Sequence, residues 1–170
     1  ILQSSASLFE DIRQDFALSP LLTEMVVSAV LLGALVGAGF SGSLTDYCGR
    51  RRVIIFTAIV FSLGSIATAL APNVFYLIVG RILLGLAIGI SSFAAPLYLA
   101  EVAPSHMRGM LVSLNQLAIT CGIVLSYVID YIFADTGQWR LMLGCGIIPA
   151  VILLCGMLFL PESPRWMVLR

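Results

Sequence analysis

Uncharged runs set the rhythm of this chain. Between Glu24 and Asp46 lie 21 residues without an acidic or basic side chain, between Arg52 and Arg81 lie 28, between Arg81 and Glu101 lie 19, and two further runs of 21 separate Arg108 from Asp130 and Arg140 from Glu162. A helix needs about 20 apolar residues, at about 1.5 Å each, to cross a hydrocarbon core of about 30 Å. The pattern therefore predicts five membrane spans. The longest run contains Ala71-Pro72-Asn73, where proline cannot continue a helix and asparagine can cap the next one. One helix is expected to end near Leu70 and another to start near Phe75. The spans become 22–44, 53–71, 75–100, 110–132 and 140–160. Ser19-Pro20 supplies an N-cap followed by proline at the first helical position, and Ser105 can cap the helix that follows Pro104. The fold class is all-α, a polytopic membrane helical bundle over residues 21–170 with an external segment over 1–20.

Composition narrows the class further. The 170 residues are 60% apolar and 11% charged, against about 25% charged in an ordinary soluble domain. A soluble globule and a disordered chain are both excluded, and four cysteines are too few for a disulfide scaffold. The net charge is zero, with nine basic residues that are all arginine, so nothing points to nucleic acid. Arginine also sets orientation, because basic loop residues stay on the cytoplasmic side. Arg50, Arg51, Arg52, Arg108, Arg165 and Arg170 fall on one side, and Arg13 and Arg140 on the other. The start of the chain is expected outside and its end in the cytoplasm. An odd number of spans beginning outside, with a first residue that is neither a methionine nor a leader, implies a fragment lacking an upstream helix.

Few polar groups lie at membrane depth, where an ionised side chain costs about 2.5–3.5 kcal/mol or more. Arg81 sits about 9 Å below the outer boundary if its helix starts near Phe75. Two readings stay open for it: a stem that bends to bring the charge to the interface, or a group facing an aqueous cavity or a carboxylate on another helix, with Gly85 and Ser92 on the same face. In the next span Ser113, Gln116, Thr120 and Tyr127 project within about 60° of one another. Such a stripe either bonds neighbouring helices or lines a cavity that receives a hydroxylated ligand. Gln116 is its most informative member, because an amide both donates and accepts, as a sugar hydroxyl does. Gly33 with Gly37, and Gly85 with Gly89, have the GxxxG spacing that lets backbones approach closely in lipid. Cys48, Cys121, Cys145 and Cys155 lack metal-ligand spacing and read as small packing residues, and His106 is alone in a loop. Neither metal nor cofactor is expected. No paired carboxylates at membrane depth and no nucleophile with a base are seen, so an enzyme is not expected.

Three clusters on the arginine-rich side carry the strongest signals: Gly42 to Arg52, Glu101 to Arg108, and Pro161-Glu162-Ser163-Pro164-Arg165. As topology determinants they would need arginines alone; Asp46, Glu101 and Glu162 beside them ask for more. These clusters resemble the sugar porter family of the major facilitator superfamily. Gly42 to Arg52 looks like that family's loop between helices 2 and 3, Gly80-Arg81 through Glu101 to Arg108-Gly109 looks like its helix 4 and following loop, and Pro161 to Arg165 looks like its signature after helix 6. The resemblance implies helices 2 to 6 of a twelve-helix transporter, its N-terminal half lacking helix 1, with helix 1 and the second half as partners in the same protein. It also implies a sugar-binding role for Gln116, with Ile119, Thr120 and Ile123 as cavity-lining neighbours. Arg81 matches an arginine that neighbours a titrating helix 1 aspartate in proton-coupled members, and that aspartate is not in this sequence. Asp46, Arg50, Arg51, Glu101, Arg108, Glu162 and Arg165 match a cytoplasmic charge network that latches the two halves. Tyr47 departs from the pattern, which usually has a basic residue there. The function implied is monosaccharide transport by alternating access in the plasma membrane or cell inner membrane, coupled to protons. A facilitative sugar or polyol uniporter and a non-transporting sugar sensor are the alternatives on the same fold. A drug or organic-acid porter would be expected to lack Pro161 to Arg165.

Overall fold

The computed structural model describes residues 19–104, 106–134, 139–160 and Glu162. They form α1 (Pro20–Cys48), α2 (Arg50–Ala69), α3 (Val74–Val102), α4 (Arg108–Ala134), α5 (Trp139–Gly144) and α6 (Ile147–Phe159). Five stretches are long and apolar enough to cross a membrane: Leu21–Cys48, Arg50–Ala69, Val74–Val102, Arg108–Phe133 and, across the α5–α6 junction, Arg140–Phe159. The all-α bundle and its five spans agree with the charge pattern.

The ends of the helices show which local signals operate. Ser19 caps α1, its hydroxyl accepting from the Leu22 amide at 3.4 Å, with Pro20 at the first helical position. Asn73 occupies the N-cap of α3 without a side-chain capping bond, and α2 stops at Ala69 with Leu70 as its C-cap. Ser105, and all of the external segment before Ser19, lie outside the described residues. Two expectations need correction. The stretch from Gly42 to Arg52 is not a loop: α1 runs on to Cys48, α2 begins at Arg50, and only Gly49 separates them at φ 95°. Nothing between Gly42 and Cys48 breaks a helix, so α1 continues past the apolar run until glycine permits the left-handed turn. The last span is not one continuous helix either. Pro149 has no N–H to give the Cys145 carbonyl and its ring crowds that oxygen, so the Cys145 carbonyl accepts from the Ile148 amide at 3.2 Å instead and the helix restarts after Gly146.

α3 is the central post, packed by α1 on one side and α2 on the other. The two GxxxG pairs face each other. A Cβ on Gly85 would collide with the Val30 carbonyl, one on Gly89 with that of Ala34, one on Gly33 with that of Ile82, and one on Gly37 would lie 2.5 Å from the Leu86 oxygen. The α1–α3 seam is thus a reciprocal contact of backbones, closer than any side chain allows. On the opposite side Gly80 meets Thr68 of α2, and Gly64 meets Leu84. Buried hydroxyls in these seams are satisfied within their own helices. Thr57 donates to the Ile54 carbonyl at 2.8 Å, Thr68 to the Gly64 and Ser65 carbonyls at 3.0 Å, and Thr45 to that of Ser41. The apolar core has two clusters, Val26, Ala71, Leu77 and Met142 at one end of the bundle and Val53, Ile54, Ile90, Ala94, Tyr98 and Met157 at the other.

Candidate functional site

The charged residues gather at the end of the bundle where α1 meets α2. Because Gly49 occupies one residue only, the last turn of α1 delivers Asp46 directly to Arg50, whose Nη2 lies 2.9 Å from Asp46 Oδ1. The Arg50 side chain is nearly buried, at 9% exposure, and its Nε lies 3.1 Å from Oε2 of Glu101, itself at 6% on the last turn of α3. That second contact has the distance of an ion pair without the alignment of a hydrogen bond, and Arg50 Nη1 also donates to the Thr45 carbonyl at 3.3 Å. One guanidinium therefore ties the ends of three helices together.

Arg51 faces the other way. Its Nε donates to the Met157 carbonyl at 3.0 Å and its Nη2 to the Leu158 carbonyl at 2.9 Å, while its backbone amide donates to Oε1 of Glu162 at 2.9 Å. The last carbonyls of a helix and the first amides of another lack intrahelical partners. Here Arg51 caps the end of α6 and Glu162 caps the start of α2, each placing its charge where the helix dipole favours it. The sequence reading put both residues in a charge network but did not foresee this exchange. A glutamate three residues past the end of α6 was the only signal.

The structure brings Asp46, Arg50 and Glu101 into one cluster and Arg51 with Glu162 into its neighbour. Arg108 does not join them: it is exposed at the start of α4, with no ion pair among the described residues. The reason is its place as the first residue of α4, beyond the turn that ends α3. Arg165 lies outside the described residues.

Arg81 stands about two turns inside α3, and its Nε and Nη2 are sealed from solvent within the protein. This burial opposes the reading in which its stem carries the charge to the interface. Gly85, one turn further along the Arg81 face, packs in the α1 seam. The four α4 residues singled out as a sugar site, Gln116, Ile119, Thr120 and Ile123, fall within about 100° of one another around the helix and are all exposed. Thr120 donates to the Gln116 carbonyl at 3.0 Å. None of the four lines the cavity that Gly122, Leu125, Ser126, Ile129 and Asp130 share with residues of α2, α3, α5 and α6. Of the polar stripe, Ser113, Gln116 and Thr120 are exposed and Tyr127 is half-buried.

The family model described as sugar (and other) transporter matches residues 3–170. The chain belongs to the sugar transporter family. Among its sugar transporter relatives, a glucose transporter of Staphylococcus epidermidis is 50% identical over 165 residues, 97% of this chain and 36% of the relative. The galactose-proton symporter of Escherichia coli K12 is 50% identical over 155 residues, 91% of this chain and 33% of the relative. A solved major facilitator superfamily proton:xylose symporter, bound to 6-bromo-6-deoxy-D-glucose, superposes with a TM-score of 0.87 at 29% identity, over 97% of this chain and 42% of that one. The chain spans about a third of the length of these curated relatives. It is a multi-pass membrane bundle of the major facilitator type, and its family and relatives are transporters, not enzymes.

Proposed function

We propose that this chain is the first-half portion, helices 2 to 6, of a transporter that carries a monosaccharide across the plasma membrane or cell inner membrane by alternating access, coupled to protons. The observation that carries the reading is the α4 face of Gln116, Ile119, Thr120 and Ile123: polar at its centre, at membrane depth, and open in this chain. A polar membrane face that no neighbouring helix satisfies needs a cavity or a further bundle against it. A second six-helix half supplies both, with sugar at the midplane between them. Relatives named as galactose-proton and arabinose-proton symporters support the sugar and proton assignments.

In this mechanism Gln116 exchanges hydrogen bonds with sugar hydroxyls, Thr120 adds a second polar contact, and Ile119 and Ile123 pack on the carbon skeleton. Arg81 holds a positive charge inside the bundle, beside the proton-carrying carboxylate of another helix. Asp46, Arg50, Arg51, Glu101 and Glu162, joined by Arg165 from the adjoining segment, latch the cytoplasmic ends while the cavity faces outward, and the latch opens as the cavity turns inward. The start of the chain lies outside and its end in the cytoplasm. The test is uptake of a labelled sugar panel by the full-length protein in energised vesicles, with and without a protonophore. Uptake abolished by the protonophore supports symport. Uptake indifferent to it supports a facilitator, and no uptake of any sugar by the inserted protein refutes transport and leaves a sugar sensor.

A further inference from the structure

The exchange between Arg51 and Glu162 joins α2 to the end of α6, and a residue of a third helix is buried beside it. Tyr98 lies on α3, one turn before Glu101, on the face that also carries Ile90 and Ala94. At 4% exposure it belongs to one buried cluster with Val53 and Ile54 of α2 and Met157 of α6. Met157 is the residue whose carbonyl accepts from Arg51 Nε at 3.0 Å. The charges of Glu162 and Arg51 both act on the Tyr98 hydroxyl. All the walls of this cluster are helices of this chain, so the phenol is enclosed whatever else packs outside them. A buried phenol needs a partner for its hydroxyl, which a phenylalanine in the same apolar cluster would not. A guanidinium only donates, so of the two charged neighbours Glu162 alone can take the phenolic proton. A carboxylate accepts from more than one donor, and Oε1 of Glu162 accepts from the Arg51 amide at 2.9 Å.

We infer that Tyr98 is a positioning residue: its hydroxyl donates to the Glu162 carboxylate, holds it over the start of α2, and so fastens the end of α6 to α3 as well as to α2. A hydrogen bond to an ionised acceptor is about twice as strong as one between neutral groups, which suits a contact that must fix a side chain lying beyond the end of its helix. α3 then enters both charged clusters, through Glu101 at Arg50 and, one turn earlier, through Tyr98 at Glu162. Loosening one cluster is felt in the other through a single turn of α3. The part this plays in transport rests on the latch proposed above; the contact itself does not.

The test is amide hydrogen exchange of the full-length protein in detergent, read by mass spectrometry. The Arg51 amide is the second of α2, where amides lack an intrahelical partner, and its protection comes through Glu162. Glu162→Ala should therefore raise exchange at the start of α2 by about tenfold, the scale of one net hydrogen bond. Tyr98→Phe removes the hydroxyl alone and should raise it by about threefold, the share of that protection due to positioning. With both changes the rate should match that of Glu162→Ala, because the hydroxyl acts only through that carboxylate. Exchange in the α1–α3 seam should stay at the wild-type rate in every variant. Exchange at the start of α2 that Tyr98→Phe leaves unaltered overturns the inference. So does a rise spread over all the helices, which would make Tyr98 a packing residue only. So does a full further increment from Tyr98→Phe on top of Glu162→Ala, which would mean that the hydroxyl acts by another route. None of these rates requires transport, so a wild type that carries no sugar would refute the transport reading and leave the exchange result standing.

Discussion

Arg50 and Arg51 are neighbours in sequence at a helix start, where the macrodipole disfavours cations, and Asp46 sits in a last turn, where it disfavours anions. Both placements break the local rule; Arg50 offsets Asp46 across the Gly49 junction, and residues distant in sequence answer the arginines, Glu101 at the Arg50 side chain and Glu162 at the Arg51 amide. Local rules broken and repaired at a distance mark positions held for function more than for helix stability. Glu162 reaches Arg51 across 111 positions, so no window of sequence encodes their exchange; the mixed charge of the two clusters and the resemblance to a known pattern brought both residues to attention. Gln116 is the opposite case, because its chemistry follows from a periodicity read along one helix. Replacing Gln116 by alanine removes one net hydrogen bond of about 1–1.5 kcal/mol to the sugar, which raises the apparent KM of the full-length transporter by about tenfold. Uptake kinetics check this, and an unaltered KM would remove Gln116 from the binding site.

At the scale of elements, the five spans were legible because absence of charge over about 20 residues has no other common cause. Helix ends were less so. The uncharged run ends before α1 does, since Asp46 to Cys48 keep helical geometry outside it. The break between α5 and α6 was present in the sequence as Gly144, Gly146 and Pro149, but a long uncharged run masked it. The glycine pairs were legible as close-packing motifs; that they pack on each other was not, because spacing does not name a partner. Their reciprocity makes a sharp prediction. Gly85→Ala drives a methyl into the Val30 carbonyl and should destabilise the bundle by about 1–3 kcal/mol or more. Gly39→Ala, on the other helix of the seam and with nothing within 4 Å of the added carbon, should be neutral or stabilising by about 0.5–1 kcal/mol, since alanine is the better helix former. Thermal unfolding of the detergent-solubilised full-length protein separates the two. Unaltered stability in Gly85→Ala would mean that the α1–α3 seam tolerates side chains.

At the scale of the molecule, the arrangement is asymmetric along the membrane normal. One end is fastened by the apolar cluster of Val26, Ala71, Leu77 and Met142, and the other combines an apolar cluster with the Arg50 and Arg51 contacts. Only the charged end combines apolar packing with a few polar bonds, so it is the end whose hold a single change of charge alters. The Arg50–Glu101 pair is central to that end and almost fully buried. Removing one partner of such a pair leaves the other charge uncompensated, at a cost of about 3–5 kcal/mol when nothing relaxes. If the latched arrangement belongs to the outward-facing state, that cost falls on the outward state and much less on the inward one, where the pair is already separated and wet. A difference of even about 1.4 kcal/mol changes the ratio of the two states tenfold. Glu101→Gln should therefore move the full-length protein toward the inward-facing form. The reporter is Ser113→Cys, near the start of α4 on the polar face, in a background where the native cysteines are changed to serine. Its alkylation from the cytoplasmic side should accelerate by about tenfold when Glu101→Gln is added, and Arg50→Gln should do the same, since either change breaks the same pair. Combining the two should add little beyond the first, because a second break in one pair has nothing left to release. Alkylation at the wild-type rate in both single variants would show that the pair holds the fold without governing the opening of the cavity.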